Sequence, residues 1–173
     1  SSYTLEHSTR VARIARHLAA SCGIQGEHLD KVEIAGLLHD IGKLRVPEDI
    51  IDKPGPLTRE ERAYVMRHSY DTGHILRKVF PGQPIADWAA MHHENLLGTG
   101  YPFHRPPIEL PREARLITVA DIFQAMSQER PYRGHMAKFE VMAHLDELSQ
   151  QGRIDFEMVA LLHTQLDPCY ALA

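Results

Sequence analysis

Ala35-Gly36-Leu37-Leu38-His39-Asp40-Ile41 is the stretch from which the rest of the chain can be read. It closes a run from about Leu29 to Ile41 that is apolar nearly all round, which predicts a buried helix. Upstream, Leu5 to Ser21 forms a helix with an apolar stripe of Val11, Ile14, Ala15 and Leu18, stopped at Gly23. Downstream, Pro47, Pro54 and Pro56 keep Arg45 to Leu57 a loop. Thr58-Arg59-Glu60-Glu61 has the capping-box pattern and starts a third helix reaching about Phe80. Pro81-Gly82 ends it, and a fourth helix runs from about Pro84 to His93. Glu94 to Leu110, broken by Gly98, Gly100, Pro102, Pro106 and Pro107, is not one regular element. Pro111 suits a helix first turn, so a fifth helix extends from there to about Gln128. Phe139 to Gln150 and Phe156 to His163 add two more, and no convincing period-2 run occurs. The expected fold is an all-α, single-domain helical bundle of about seven or more helices spanning residues 1–173.

Bulk properties bound the function. Of the 173 residues, 43% are hydrophobic and 24% charged, ordinary values for a globular domain. A net charge of −4 argues against a general nucleic-acid or membrane-surface binder, so an anionic ligand must be held by local charge. No apolar run approaches the roughly 20 residues that cross a bilayer, and no signal peptide is seen. Two cysteines, Cys22 and Cys169, imply no disulfide framework and fit a reducing, cytoplasmic setting. The start at Ser1-Ser2 is read as a domain cut from a longer regulatory protein.

Histidine is the outlier, with 12 residues. His7 precedes Val11 by four and Ile14 by seven. His39 follows Ala35 by four, and His68 follows Val65 by three. His92 follows Ala89 by three and Trp88 by four, and Asp121 follows Ile117 by four. Each points where its helix points its hydrophobes. A lone histidine on such a face is usually a hydrogen-bonded core residue. Five histidines (His93 included) and the carboxylates Asp40 and Asp121 converging on one interior need a shared partner, because unpaired buried charge costs several kcal/mol. A pair of divalent cations supplies it, and nitrogen and oxygen ligands suit zinc, iron, manganese, cobalt or nickel. His17, His28, His74, His104, His135, His144 and His163 are read as surface or packing residues, with His104 in a loop that could border the site.

The ordered set resembles a known family. His39-Asp40-Ile41-Gly42-Lys43 resembles the motif of the HD phosphohydrolase superfamily. His92-His93-Glu94, followed by Gly98-Thr99-Gly100-Tyr101-Pro102, resembles the marker of its HD-GYP branch. Val119-Ala120-Asp121 with Glu129-Arg130-Pro131-Tyr132-Arg133 resembles that branch's next block, and Lys53 to Thr58 its connecting loop. The resemblance implies a helical metal-dependent phosphodiesterase that opens cyclic di-GMP to the linear dinucleotide, in some members on to GMP. By position, one metal takes His7, His39, Asp40 and Asp121, and the second takes Asp40, His68, His92 and His93, with Asp40 and a water or hydroxide bridging them and Asp121 near that water. Iron and manganese lead among the metals. Lys43, four after His39 and three after Asp40, is placed on the same helix face and assigned to the scissile phosphate. Arg130 and Arg133 are implied to hold the other phosphate or a guanine edge, and Tyr101 to stack on a guanine. The Gly98 to Pro102 loop is an alternative contact for diguanylate cyclase (GGDEF-type) domains.

The sequence also departs from the family. A glutamate one turn before the first histidine, used for a third metal in some members, is Tyr3 here, and Glu6 faces elsewhere, so two metals are expected. Leu97, Glu129 and the run Phe103-His104-Arg105-Pro106-Pro107 replace the usual residues near the pocket mouth, which bears on substrate choice. Three other readings stand beside this one: hydrolysis of cyclic GMP-AMP or another nucleotide, a non-catalytic cyclic-dinucleotide or protein-binding module, and a purely structural helical domain.

Overall fold

Helix α1 (Ser2–Ser21) lies along α2 (Gly26–Leu38) and α7 (Arg112–Ser127), and this trio forms the core of a computed structural model that describes residues 2–128 and 136–173, the side chains of 2–4 excepted. The stripe read from the sequence is buried as expected: Val11, Ile14, Ala15 and Leu18 are inaccessible to solvent. They meet Val32 and Ala35 of α2 and Leu116, Ile117, Ala120 and Phe123 of α7 in one apolar cluster. Between α2 and α7 come α3 (Glu48–Ile51), α4 (Arg59–Met66), α5 (His68–Val79) and α6 (Ile85–Ala90). The chain closes with α8 (Lys138–Gln150), α9 (Phe156–Thr164) and α10 (Leu166–Leu172). The architecture is all-α, with no strand among the described residues. No helix of the described residues is long and apolar enough to cross a membrane.

Three of the expected helices need correction. Helix α2 is not buried on all sides: Val32, Ala35 and Gly36 are, whereas Leu37 is 39% exposed. It also ends at Leu38, so His39 and Asp40 stand in a turn ahead of a 3₁₀ segment, Ile41–Arg45. The helix expected from Thr58 to Phe80 begins with its capping box, Thr58 Oγ1 accepting from Glu61 N and Glu61 accepting from Thr58 N, but it is interrupted at Arg67. The helix expected from Pro84 to His93 stops at Ala90.

These three early stops share a cause. At each, a histidine Nδ1–H donates to the carbonyl three residues back: His39 to Gly36 at 2.7 Å, His68 to Val65 at 2.7 Å and His92 to Ala89 at 2.6 Å. The last carbonyls of a helix have no ladder partner, so an imidazole that takes one both ends the helix and is oriented by it. The 3₁₀ segment then packs on the start of α5 so closely that a Cβ at Gly42 would fall 1.9 Å from the His68 carbonyl oxygen. Thr72 Oγ1 joins the two, donating to the His39 carbonyl (3.0 Å) and accepting from Gly42 N (2.9 Å).

Candidate metal centre

Three helices and two turns converge on one buried cluster. His7 comes from α1, His39 and Asp40 from the turn after α2, His68 from the start of α5, His92 and His93 from the turn after α6, and Asp121 from the middle of α7. Side-chain exposure is 4% for Asp40, 1% for His39, 2% for His68 and 0% for His92, rising to 12% for His7 and 15% for Asp121.

Asp40 sits at the centre, and its two oxygens face different partners. Oδ2 is 3.5 Å from His39 Nε2 and 4.0 Å from His7 Nε2. Oδ1 is 3.2 Å from His68 Nε2 and 3.8 Å from His92 Nε2. Asp121 Oδ1 completes the first group, 3.1 Å from His7 Nε2 and 3.7 Å from His39 Nε2. His93 joins His68 and His92 in the second, where the three ligand nitrogens lie within 4.8 Å of one another.

The cluster is not satisfied by protein atoms. His39 Nε2 and Asp40 Oδ1 are shielded from solvent and have no hydrogen-bond partner. Buried polar atoms are nearly always paired, so two orphans at the centre of a ring of imidazoles ask for a cation. The donors fit one: with Nδ1–H spent on backbone carbonyls, His39, His68 and His92 turn bare Nε2 lone pairs inward. Burial lowers the His93 pKa to about 4, and burial with the neighbouring His93 and His39 lowers that of His92 well below the ordinary value. Both are therefore neutral imidazoles at pH 7. Burial would raise Asp40, but His39, His68 and Lys43 around it outweigh that and hold the carboxyl well below the usual range. Asp121 is likewise lowered, burial being outweighed by the neighbouring His7 and His39. Imidazoles and carboxylates in this arrangement suit divalent transition metals.

Lys43 reaches Asp40, with Nζ 2.5 Å from Oδ2, but not from a shared α-helical face. The 3₁₀ period of three puts residues 40 and 43 on one side, where the sequence had suggested a helix continuing past Leu38. Glu6 is ion-paired with Arg10 on the outer surface and is not part of the cluster. Arg130 and Arg133 lie outside the described residues, as does His135.

A cleft of about 380 Å³ opens beside His92, His93 and Asp121, a volume within the usual range for small-ligand sites. Tyr101 lines it, its ring centroid 4.7 Å from that of His93, and burial raises the pKa of its hydroxyl. The loop that carries Tyr101 is tied down by Glu94, a residue quoted above only as part of a motif. Its buried carboxylate accepts from Phe103 N at 2.6 Å and Arg105 N at 3.0 Å. Gly100 lets the loop close over this anchor, since a Cβ there would meet Glu94 Cα at 2.5 Å and His93 O at 2.6 Å. Two further lining residues, His144 of α8 and Arg153 just before α9, were missed: His144 was read as surface or packing, and Arg153 was not singled out. They follow the recognisable blocks, and only the return of α8 and α9 to the cleft brings them there. Of the remaining histidines, His17 pairs with Gln165, His28 with Glu113 and His163 with Asp146, and His104 is exposed.

Comparison with known proteins identifies the family. The sequence model of the HD domain family matches residues 2–158. A 3'3'-cGAMP-specific phosphodiesterase of Vibrio cholerae is 39% identical across 100% of this chain, which covers 40% of that protein. A cyclic di-GMP phosphodiesterase of Thermotoga maritima is 33% identical over 84% of this chain and 40% of its own length. The chain thus spans about two fifths of each of these curated relatives. Among solved structures, a "HDG"Y"P" protein of Bdellovibrio bacteriovorus superposes with a TM-score of 0.76 at 20% identity, over 95% of this chain and 52% of that one, a likeness of fold. With its His39-Asp40 pair at the centre of the imidazole cluster and its His92-His93-Glu94 and Gly100-Tyr101-Pro102 blocks beside it, the chain belongs to the HD domain family, in the HD-GYP branch.

Proposed function

We propose that this chain is the hydrolytic unit of a cyclic dinucleotide phosphodiesterase. The observation that carries the reading is the Asp40 carboxylate, whose two oxygens face different sets of ligand atoms. Two divalent cations bound there would neutralise the phosphodiester anion and lower the pKa of the attacking water. His7, His39 and Asp121 are proposed to hold one with Asp40, and His68, His92 and His93 the other with Asp40. Iron and manganese are the first candidates. Asp121, 15% exposed at the rim, is proposed to accept the proton of the attacking water. Lys43, 36% exposed beside Asp40, can neutralise a phosphate oxygen arriving from the cleft. Tyr101 offers a ring for a base to stack on, and Arg130 and Arg133 remain the proposed holders of the second phosphate or a guanine edge.

A 3',3'-linked cyclic dinucleotide is the substrate class, because relatives across most of this chain are named for such substrates. Cyclic GMP-AMP is the first to test, since the relative specific for it aligns over the whole chain at the higher identity. Cyclic di-GMP is the second. Contact with diguanylate cyclase domains through the Gly98 to Pro102 loop is a further proposal, as is a place within a longer regulatory protein.

The test is anaerobic reconstitution with iron(II) and, in parallel, manganese(II), followed by chromatography of products from cyclic GMP-AMP, cyclic di-GMP and a mononucleotide control. Linear dinucleotide formed by wild type and not by Asp40→Ala is the expected result. Turnover of mononucleotides alone, or none by protein shown to carry two ions, overturns the reading.

A further inference from the structure

His39, His68 and His92 each owe their orientation to a helix that ends and frees a carbonyl. His7 lacks that device. Helix α1 runs unbroken through it, from Ser2 to Ser21, so the carbonyls of the preceding turn are committed to the ladder. Its Nδ1 meets instead the side-chain oxygen Oε1 of Gln124, on α7. Gln124 is inaccessible to solvent, and its Nε2 donates to Gln128 Oε1 at 3.1 Å one turn on. With that second bond the Gln124 carbonyl faces Nδ1 and its NH₂ faces Gln128. Asp121 and Gln124 are three apart on α7 and so share a face. Asp121 stands 3.1 Å from Nε2 while Gln124 holds Nδ1, so one helix grips both nitrogens of the ring.

We infer that Gln124 is a positioning residue for the metal centre, accepting Nδ1–H of His7 and so fixing the tautomer that presents a bare Nε2 to the ion shared with His39 and Asp121. The inference rests on the reading of the cluster as a metal centre, not on the choice of substrate. Outer partners of ligating histidines typically contribute about 10- to 100-fold in metal affinity. Gln124 should do so for one ion only, because His68, His92 and His93 do not depend on it.

The experiment is titration of full-length, chelator-stripped protein with manganese(II) against a competing chelator, comparing wild type with Gln124→Met, which keeps length and volume but removes the acceptor, and Gln124→Glu, which restores one. The expected result is a loss of about 10- to 100-fold at one of two sites in Gln124→Met, recovered in Gln124→Glu, with the unfolding temperature of the metal-free proteins little changed. Unchanged affinity in folded Gln124→Met overturns the inference. So does equal weakening of both sites in step with lost stability of the metal-free protein, the signature of a packing role. Should Gln124→Met not fold, side-chain ¹⁵N spectra of the zinc-loaded wild type decide: His7 protonated at Nδ1 supports the inference and at Nε2 refutes it. Normal metal titrations with no dinucleotide hydrolysis would sink the proposed activity while leaving this result standing. Wild type that binds no divalent ion would overturn both.

Discussion

One carboxylate and one kind of hydrogen bond organise the centre at the scale of the residue. Asp40 is the only described side chain within 4 Å of His7, His39, His68 and His92 together, so its removal touches both groups of ligands at once. Asp40→Asn keeps the shape but loses the negative charge. We expect kcat/KM to fall at least about 100-fold at saturating metal, since the charge stabilisation at stake is several kcal/mol. A smaller loss, measured with confirmed metal content, would mean that Asp40 does not join two ions. Glu94 acts on the cleft through the loop: its two oxygens take the amides of Phe103 and Arg105. Glu94→Gln turns an NH₂ toward one of those donors, leaving it buried and unpaired, and should cost roughly 1–3 kcal/mol in thermal or denaturant unfolding. An unshifted midpoint would show that the loop does not depend on this anchor.

At the scale of the element, the site is built where helices stop. α2, α4 and α6 each end within three residues of a histidine that takes a terminal carbonyl. The 3₁₀ segment after α2 must then touch the start of α5, and Gly42 is the point of contact. Gly42→Ala forces a methyl into the His68 carbonyl and Thr72 amide, which lie 1.9 and 2.7 Å from the position of a Cβ. Overpacking of backbone cannot relax by a rotamer change, so we expect a loss of about 3 kcal/mol or more and displacement of His68 from Asp40. Unfolding midpoint and metal content should therefore fall together. Retention of two ions with a normal midpoint would contradict the close contact.

For the whole molecule, the candidate ligands come from α1 at one end of the sequence to α7 beyond its middle, so ions held there would cross-link the fold. Binding that exists only in the native state adds about 2.7 kcal/mol per ion at a 100-fold excess over Kd, or roughly 5–10 °C in Tm for a chain of this size. Chelation should lower the unfolding temperature by that much per ion, and calorimetry that shows no change would point to a purely structural cluster. The cleft too is assembled at this scale, because Arg153 reaches it only after α8 has turned back. Its backbone is pinned between the Leu148 carbonyl (2.9 Å) and the Leu96 amide (3.4 Å), and no ion pair of its side chain is found among the described residues. Arg153→Ala should raise KM for the cyclic dinucleotide about tenfold or more, the worth of a charged hydrogen bond, with kcat nearly unchanged. Equal KM values for the two proteins would place Arg153 outside the substrate's reach.

The sequence by itself determined the helical class, the apolar stripe of α1 and the identity of the candidate ligands. Each of these is a local property: a period of 3.6 among Val11, Ile14 and Leu18, or a histidine four residues from Ala35. It misjudged where helices end, because His39, His68 and His92 compete for carbonyls only once Nε2 has a reason to face inward. Only the tertiary structure decided the rest. That Asp40 offers one oxygen to His39 and the other to His68, that Gln124 holds His7, and that His144 and Arg153 line the cleft are contacts between residues up to 117 positions apart. No periodicity encodes such pairs; they follow from how α1, α7 and the turns pack around a shared core.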